Sequence, residues 1–249
     1  MKKGWWFPLL FLLITLISGC AGRFDYYQWG LKLEDQGRFK EAALAHKKAI
    51  EQDPEHGLAY NHLGISLYEQ GHIDEAIAAY RKAIQFLPLF DDAYYNLGMA
   101  YLRKGLYSPA LSQFEKAVEL DAYYARYHIG LGQAYEKLKL WDKATSAYNR
   151  ALEIDPRNFV VYNNLGVVHE KMGNSFLAIS FFQKAIEVAP DFAEAYENLA
   201  LVYFDQGKTK DAFLLLEQAA RKSPQDDRIK NTLEYLRQSS QNQKMPKPH

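Results

Sequence analysis

The sequence predicts an all-α solenoid of six helix pairs closed by one further helix. Three observations predict it. Gly30, Gly64, Gly98, Gly132 and Gly166, then Ala200, recur every 34 residues without insertion or deletion. Two further positions are alanine in all six copies: Ala42, Ala76, Ala110, Ala144, Ala178 and Ala212, then Ala49, Ala83, Ala117, Ala151, Ala185 and Ala219. Apolar residues inside each copy fall at helical spacing, as in Leu63, Gly64 and Leu67 and again in Ala76, Tyr80 and Ala83. A fixed period of this length is the mark of a repeat array, in which each unit buries its apolar face against its neighbours.

Six copies occupy 23–56, 57–90, 91–124, 125–158, 159–192 and 193–226. Within each, a first helix carries the small residue that lets the second helix approach closely. Alanine at the two invariant positions fits a narrow helix–helix gap and has the best helix propensity. Larger side chains there would overpack at about 1–3 kcal/mol. The turn between helices has glycine in five copies (Gly37, Gly71, Gly105, Gly173, Gly207), suited to a left-handed backbone. Lys139 replaces it in the fourth copy and is expected to be mildly strained. Proline ends the second helix at Pro54, Pro88, Pro156, Pro190 and Pro224. Ala122 stands there in the third copy, so a different bend is expected at that junction.

The pattern of aromatic, Leu-Gly, aromatic, Ala, aromatic, Ala and Pro, in register six times, resembles the tetratricopeptide repeat (TPR) family. Departures are Trp29 for leucine, His46 and Leu216 at the second-helix aromatic position, and His169 for the first-helix aromatic. The resemblance implies a right-handed superhelix whose first helices line a concave groove. Carried onto this chain, the groove residues include Tyr27, Asn61, Tyr68, Tyr95, Asn96, Asn163, Asn164 and Asn198. Asn96, Asn164 and Asn198 stand where the O-GlcNAc transferase array grips peptide backbone, though His62 and Gly130 interrupt the row. An amide both donates and accepts, which suits an extended chain. Asparagine is also common there in the family and simply solvated, and both readings stand. The basic clamp of chaperone-binding TPRs is missing, because no three adjacent copies carry its lysine, arginine and asparagine set.

Past Asp226, residues 227–238 read as an amphipathic capping helix, and 239–249 as a polar tail expected to be disordered. Before the array, Lys2 and Lys3 precede an apolar run from Trp5 to Ile17, then Ser18-Gly19. A basic start, a short apolar core and small residues describe a cleaved signal over 1–19. The run falls short of the roughly 20 residues that cross a bilayer. Ile17-Ser18-Gly19-Cys20 resembles the lipobox of bacterial lipoproteins. The resemblance implies a diacylglyceryl group on the Cys20 thiol, cleavage before it, and usually an acyl chain on the new amine. Residues 20–22 would then be the lipid-anchored N-terminus. Ala21 rather than aspartate implies export to the outer membrane, facing the periplasm.

Cys20 is the one cysteine in 249 residues, which excludes an internal disulfide and a multi-cysteine zinc site. Thirty basic residues balance thirty acidic ones, leaving no excess charge for nucleic acid. His169-Glu170 begins like a zinc-protease motif, but Gly173 stands where the second histidine belongs. Gly130-Leu131-Gly132 lies inside a helix, with Tyr135 where a nucleotide fingerprint needs glycine. The seven histidines are scattered, and His46 and His169 read as satisfied packing residues. No catalytic residue, metal ligand, cofactor or small-molecule substrate is expected. The sequence thus points to a lipid-anchored adaptor that holds a protein partner's peptide or helix in its groove. The architecture is similar to the TPR pilotins of type IV pilus systems, which implies a role in assembling an envelope, pilus or secretion complex. Alternative roles are an adaptor for cell-wall hydrolases or a substrate-presenting module for a partner enzyme such as a glycosyltransferase.

Overall fold

A computed structural model describes residues 24–244 of the chain. The signal segment, Cys20 and residues 20–22 lie outside the described residues. Among those described there are thirteen helices and no strand. The chain divides into two compact units, one ending at Pro88 and the other starting at Leu89.

The first unit holds α1 (Tyr26–Asp35), α2 (Phe39–Gln52), α3 (Gly57–Glu69) and α4 (Ile73–Phe86). Each odd-numbered helix packs on the helix that follows it, and α2 also packs on α3. Asp25 caps α1 by accepting from the Gln28 amide at 3.0 Å, and the His56 ring caps α3 by accepting from Ala59 N at 3.2 Å. Ala42, Ala76 and Ala83 are fully buried at the helix–helix gap.

The second unit holds α5 (Asp91–Arg103), α6 (Tyr107–Leu120), α7 (Ala125–Lys137) and α8 (Trp141–Ile154). It continues through α9 (Phe159–Lys171), α10 (Ser175–Val188), α11 (Ala193–Asp205), α12 (Thr209–Lys222) and α13 (Asp227–Lys244). Its first helices lie side by side, α5 against α7, α9 against α11 and α11 against α13. The small residue of each first helix meets the aromatic ring of its partner. A Cβ built on Gly98 would stand 2.7 Å from Phe114 Cε1, and one on Gly132 2.5 Å from Tyr148 Cε1. Those rings are fully buried, so the glycine is a space requirement.

The turn residues behave as their register demands. Gly105 and Gly173 take φ of 77° and 79°, and Lys139 takes 60°. The third junction ends without its proline. Asp121 leaves the helix at φ −140°, ψ 102°, and its Oδ1 accepts from Tyr123 N at 2.8 Å. Asp53 and Asp155 make the same turn at the equivalent positions, at 3.2 Å each, with a proline between. The aspartate turn stops the helix in every case, so α6 ends in register despite Ala122.

The last helix runs on to Lys244, so residues 239–244, expected to be disordered, are helical. Ile229 and Leu236 are fully buried with Tyr196 and Leu216, which ties α13 to the last helix pair. Burying each such side chain contributes about 1.5–3 kcal/mol. The residues from 239 onward lengthen a helix already nucleated by that packing, and most helical stability comes from such tertiary contact.

Candidate functional site

In a repeat array the first helices repeat their solvent-facing side chains at 34-residue intervals, so one face collects equivalent positions. Tyr27, Tyr68, Tyr95, Asn96, Asn164 and Asn198 are half-buried on these helices. Asn61 and Asn163 are not groove residues in this sense, for they are only 2% and 1% exposed. Asn163 Nδ2 donates to Glu194 Oε1 at 2.9 Å, and its Oδ1 accepts from Asn198 Nδ2 at 2.9 Å. Thr232 Oγ1 likewise donates to Glu197 Oε1 at 2.5 Å. Adjacent first helices are therefore laced together at offsets of 31 to 35 residues. Asn163 points into that seam, and its amide is spent there.

The most chemically distinctive part of this face is around Arg126. Its guanidinium lies 4.9, 4.7 and 5.3 Å from the ring centroids of Tyr95, Tyr124 and Tyr127. Asp92, one repeat earlier, accepts hydrogen bonds from both Arg126 and the Tyr127 hydroxyl. Burial, then the neighbouring Asp92 carboxylate, pushes the Tyr127 hydroxyl well above its ordinary value, so it stays a donor. Arg126 keeps 38% of its side chain exposed, and its Nε has no hydrogen-bond partner among the described residues. A cation framed by aromatic rings, its side chain still 38% exposed although Nε itself is buried, suits a carboxylate, a backbone carbonyl or an aromatic side chain of a partner. Further along, Tyr148 donates to Glu136 at 2.9 Å, again joining a second helix to the first-helix face.

The first unit gathers a different set. Glu34 accepts from Ser66 Oγ at 2.7 Å and lies 2.8 Å from His62 Nδ1 and 3.3 Å from His46 Nε2. Burial raises the Glu34 pKa, but contacts from His46, His62 and Ser66 outweigh it and hold the group at about 2. The Tyr27 ring closes the cluster, with centroids 5.8 Å from His46 and 5.6 Å from His62. His46, expected to be satisfied, is fully buried with neither ring nitrogen in a hydrogen bond among the described residues. His169 Nδ1 is also unpaired, although the ring stacks on Phe181 at 5.2 Å and 13°. Both imidazoles fill aromatic positions, where the repeat supplies ring contacts; His46 has in addition Glu34 Oε1 at 3.3 Å from Nε2.

One open cleft lies at the leading edge of the first repeat. It has a volume of about 450 Å3 and is lined by Phe24, Tyr26, Trp29, Leu44, Glu41 and Lys48. Trp29 is 42% exposed, whereas its counterparts Leu63, Leu97, Leu165 and Leu199 are buried and Leu131 is half-buried. In the second, fourth, fifth and sixth copies the first helix packs on the preceding second helix. At the leading edge of the first copy the Trp29 surface stays open among the described residues.

Comparison with known proteins agrees with this architecture. Family models described as TPR repeat or tetratricopeptide repeat match residues 47–78, 66–105, 95–159 and 158–224. Among curated proteins none matches the chain in sequence. Solved structures do. The MamA protein is 28% identical with a TM-score of 0.60, covering 68% of this chain and 92% of that one. YrrB, described as a TPR protein with an unusual peptide-binding site, is 26% identical with a TM-score of 0.58, covering 77% of this chain and 99% of its own. The Cut9–Hcn1 hetero-tetramer of the APC/C shares the fold over 92% of this chain and 46% of that one, at TM-score 0.73 and 20% identity.

Proposed function

We propose, for a chain that belongs to the tetratricopeptide-repeat family, that it is a non-enzymatic scaffold binding a protein partner on its first-helix face. TPR proteins bind protein partners, and the observation that carries the reading here is the Arg126 site with its three tyrosines. Its part-exposed cation and flanking rings can anchor an extended segment or helix, with Asn96, Asn164 and Asn198 half-buried along the same helices. A few such aromatic and arginine anchors carry most of the energy in protein interfaces. YrrB's peptide-binding site supports a peptide as the occupant.

In the same proposal, a diacylglyceryl group on Cys20 holds the scaffold to the outer membrane on the periplasmic side, where it assists assembly of an envelope, pilus or secretion complex. Two features support the anchor. The lipobox-like Ile17-Ser18-Gly19-Cys20 directly follows the apolar run, and the open apolar edge formed by Phe24, Trp29 and Leu44 begins four residues after Cys20. Such an edge, with Lys48 beside it, suits a lipid surface with anionic headgroups. No helix among the described residues is long and apolar enough to cross a membrane.

The test is capture of a partner from envelope extract by the mature protein, repeated with Tyr95→Ala/Arg126→Ala. Capture should fall at least tenfold in the variant while a Lys116→Glu control on α6 captures normally. Unchanged capture by the double variant, with loss in the α6 control, would overturn the assignment of the binding face.

A further inference from the structure

We propose that Glu34, His46 and His62 form a binding site for a divalent transition-metal ion, with Zn2+ as the best fit. The three side chains come from three different helices: Glu34 from α1, His46 from α2 and His62 from α3. One donor atom from each lies within 4.8 Å of the others. Tetrahedral coordination with metal–ligand bonds of about 2.0–2.2 Å puts neighbouring donors about 3.3–3.5 Å apart. His46 Nε2 and Glu34 Oε1 are already 3.3 Å apart, and His62 Nδ1 is 2.8 Å from Glu34 Oε2. Small rotations of the carboxylate and of the His62 ring therefore suffice to admit the ion.

The donor chemistry selects the class of ion. Two imidazoles and one carboxylate suit zinc and its first-row neighbours, whereas calcium and magnesium need oxygen ligands. Three protein ligands leave a fourth position for water, the usual composition of an open zinc site. The Ser66 hydroxyl on Glu34 Oε1 would orient the ligating carboxylate from outside the coordination sphere. His62 keeps 24% of its side chain exposed, which gives the ion a way in. His56, although its ring lies 4.7 Å from Tyr27, is already used as the α3 cap and is not a ligand.

The state of His46 is the second, independent observation. It is fully buried, yet neither ring nitrogen makes a hydrogen bond among the described residues. A fold that needed only an apolar filler at this position has a ready solution, for the other copies carry Tyr80, Phe114, Tyr148, Phe182 and Leu216 there. Coordination would seat the ion at Nε2, the nitrogen that faces Glu34 Oε1 at 3.3 Å, and leave the proton on Nδ1. The three donors also occur together at one junction only. Glu136 and Glu170 repeat Glu34, but no second histidine pair accompanies either. The bound ion would join the first repeat to the second.

The experiment uses the full mature chain, stripped with chelator and titrated with ZnCl2 by calorimetry and with Co2+ by visible absorption. The expected result is one ion per chain, intense low-symmetry Co2+ d–d bands, and a Tm raised by about 5 °C or more at a hundredfold excess of Zn2+ over Kd. His46→Phe, which copies the other repeats, should fold with full helicity and lose the calorimetric signal and the Co2+ bands. Glu34→Gln and His62→Asn should each weaken binding at least tenfold. The proposal is overturned if the wild-type chain takes up no Zn2+, or if His46→Phe binds Zn2+ as tightly as wild type.

Discussion

Replacing Lys139 with glycine should stabilise the protein, and replacing Gly173 with alanine should destabilise it by a similar amount. The two residues occupy the same place in successive repeats and make the same backbone bonds. Lys139 N donates to Glu136 O at 2.9 Å and Leu140 N to Tyr135 O at 2.9 Å; Gly173 N donates to Glu170 O at 2.9 Å and Asn174 N to His169 O at 2.8 Å. Both have positive φ, 60° and 79°. A left-handed backbone costs a residue with a Cβ about 1–2 kcal/mol. Glycine recovers that but loses roughly 0.5–1 kcal/mol in unfolded-chain entropy. Lys139→Gly should therefore gain about 0.5–1 kcal/mol, and Gly173→Ala should lose about the same. Nothing lies within 4 Å of a Cβ placed on Gly173, so its cost is the backbone alone. Urea unfolding followed by far-UV circular dichroism reads both changes as shifts in midpoint at constant slope. Should Lys139→Gly prove neutral or destabilising while Gly173→Ala is costly, the strain argument at Lys139 is wrong.

Gly98→Ala should cost about 1–3 kcal/mol, because its Cβ would stand 2.7 Å from the buried Phe114 ring; thermal unfolding measures it, with partial recovery expected in Gly98→Ala/Phe114→Leu. Burial lowers the His169 pKa from 6.5, so the unfolded chain takes up the proton first. The protein should lose stability as pH falls below 6.5 towards the lower folded value, and His169→Tyr should remove that part of the slope in a comparison of midpoints at pH 7.5 and 5.5. Cys20→Ala should leave helicity unchanged and move the protein from the membrane to the soluble fraction on ultracentrifugation.

The helix pairs, their turns and the buried alanines were legible because each is imposed six times by the same steric demand. Gly98 and Ala110 announce a close approach from the sequence alone: Gly98 meets the Phe114 ring of α6, and Ala110 on α6 is fully buried. What repeats less faithfully was harder to see. Asp121 makes the turn that Ala122 does not, since a side-chain acceptor can replace a proline. Residues 239–244 are polar, yet extend a helix anchored by Ile229 and Leu236. Asn61 and Asn163 look like groove amides by register, but the seam between first helices depends on side-chain direction, which register does not fix. The Arg126 and His46 clusters each join residues of neighbouring copies, such as Asp92 with Arg126 and Glu34 with His62, so only a 34-residue ruler laid across those copies could have paired them. Glu34, His46 and His62 coming together at one junction were the signal available, and each is unremarkable by itself.

The central claim is that a protein partner is held on the first-helix face of the second unit. Photo-crosslinking in intact cells tests it most directly, with a photoreactive residue at Gln133 on α7 and, separately, at the exposed Asn149 on α8. A covalent adduct to a partner protein is expected from Gln133, lost on Tyr95→Ala/Arg126→Ala, and none from Asn149. Adducts from Asn149 with none from Gln133 would contradict it.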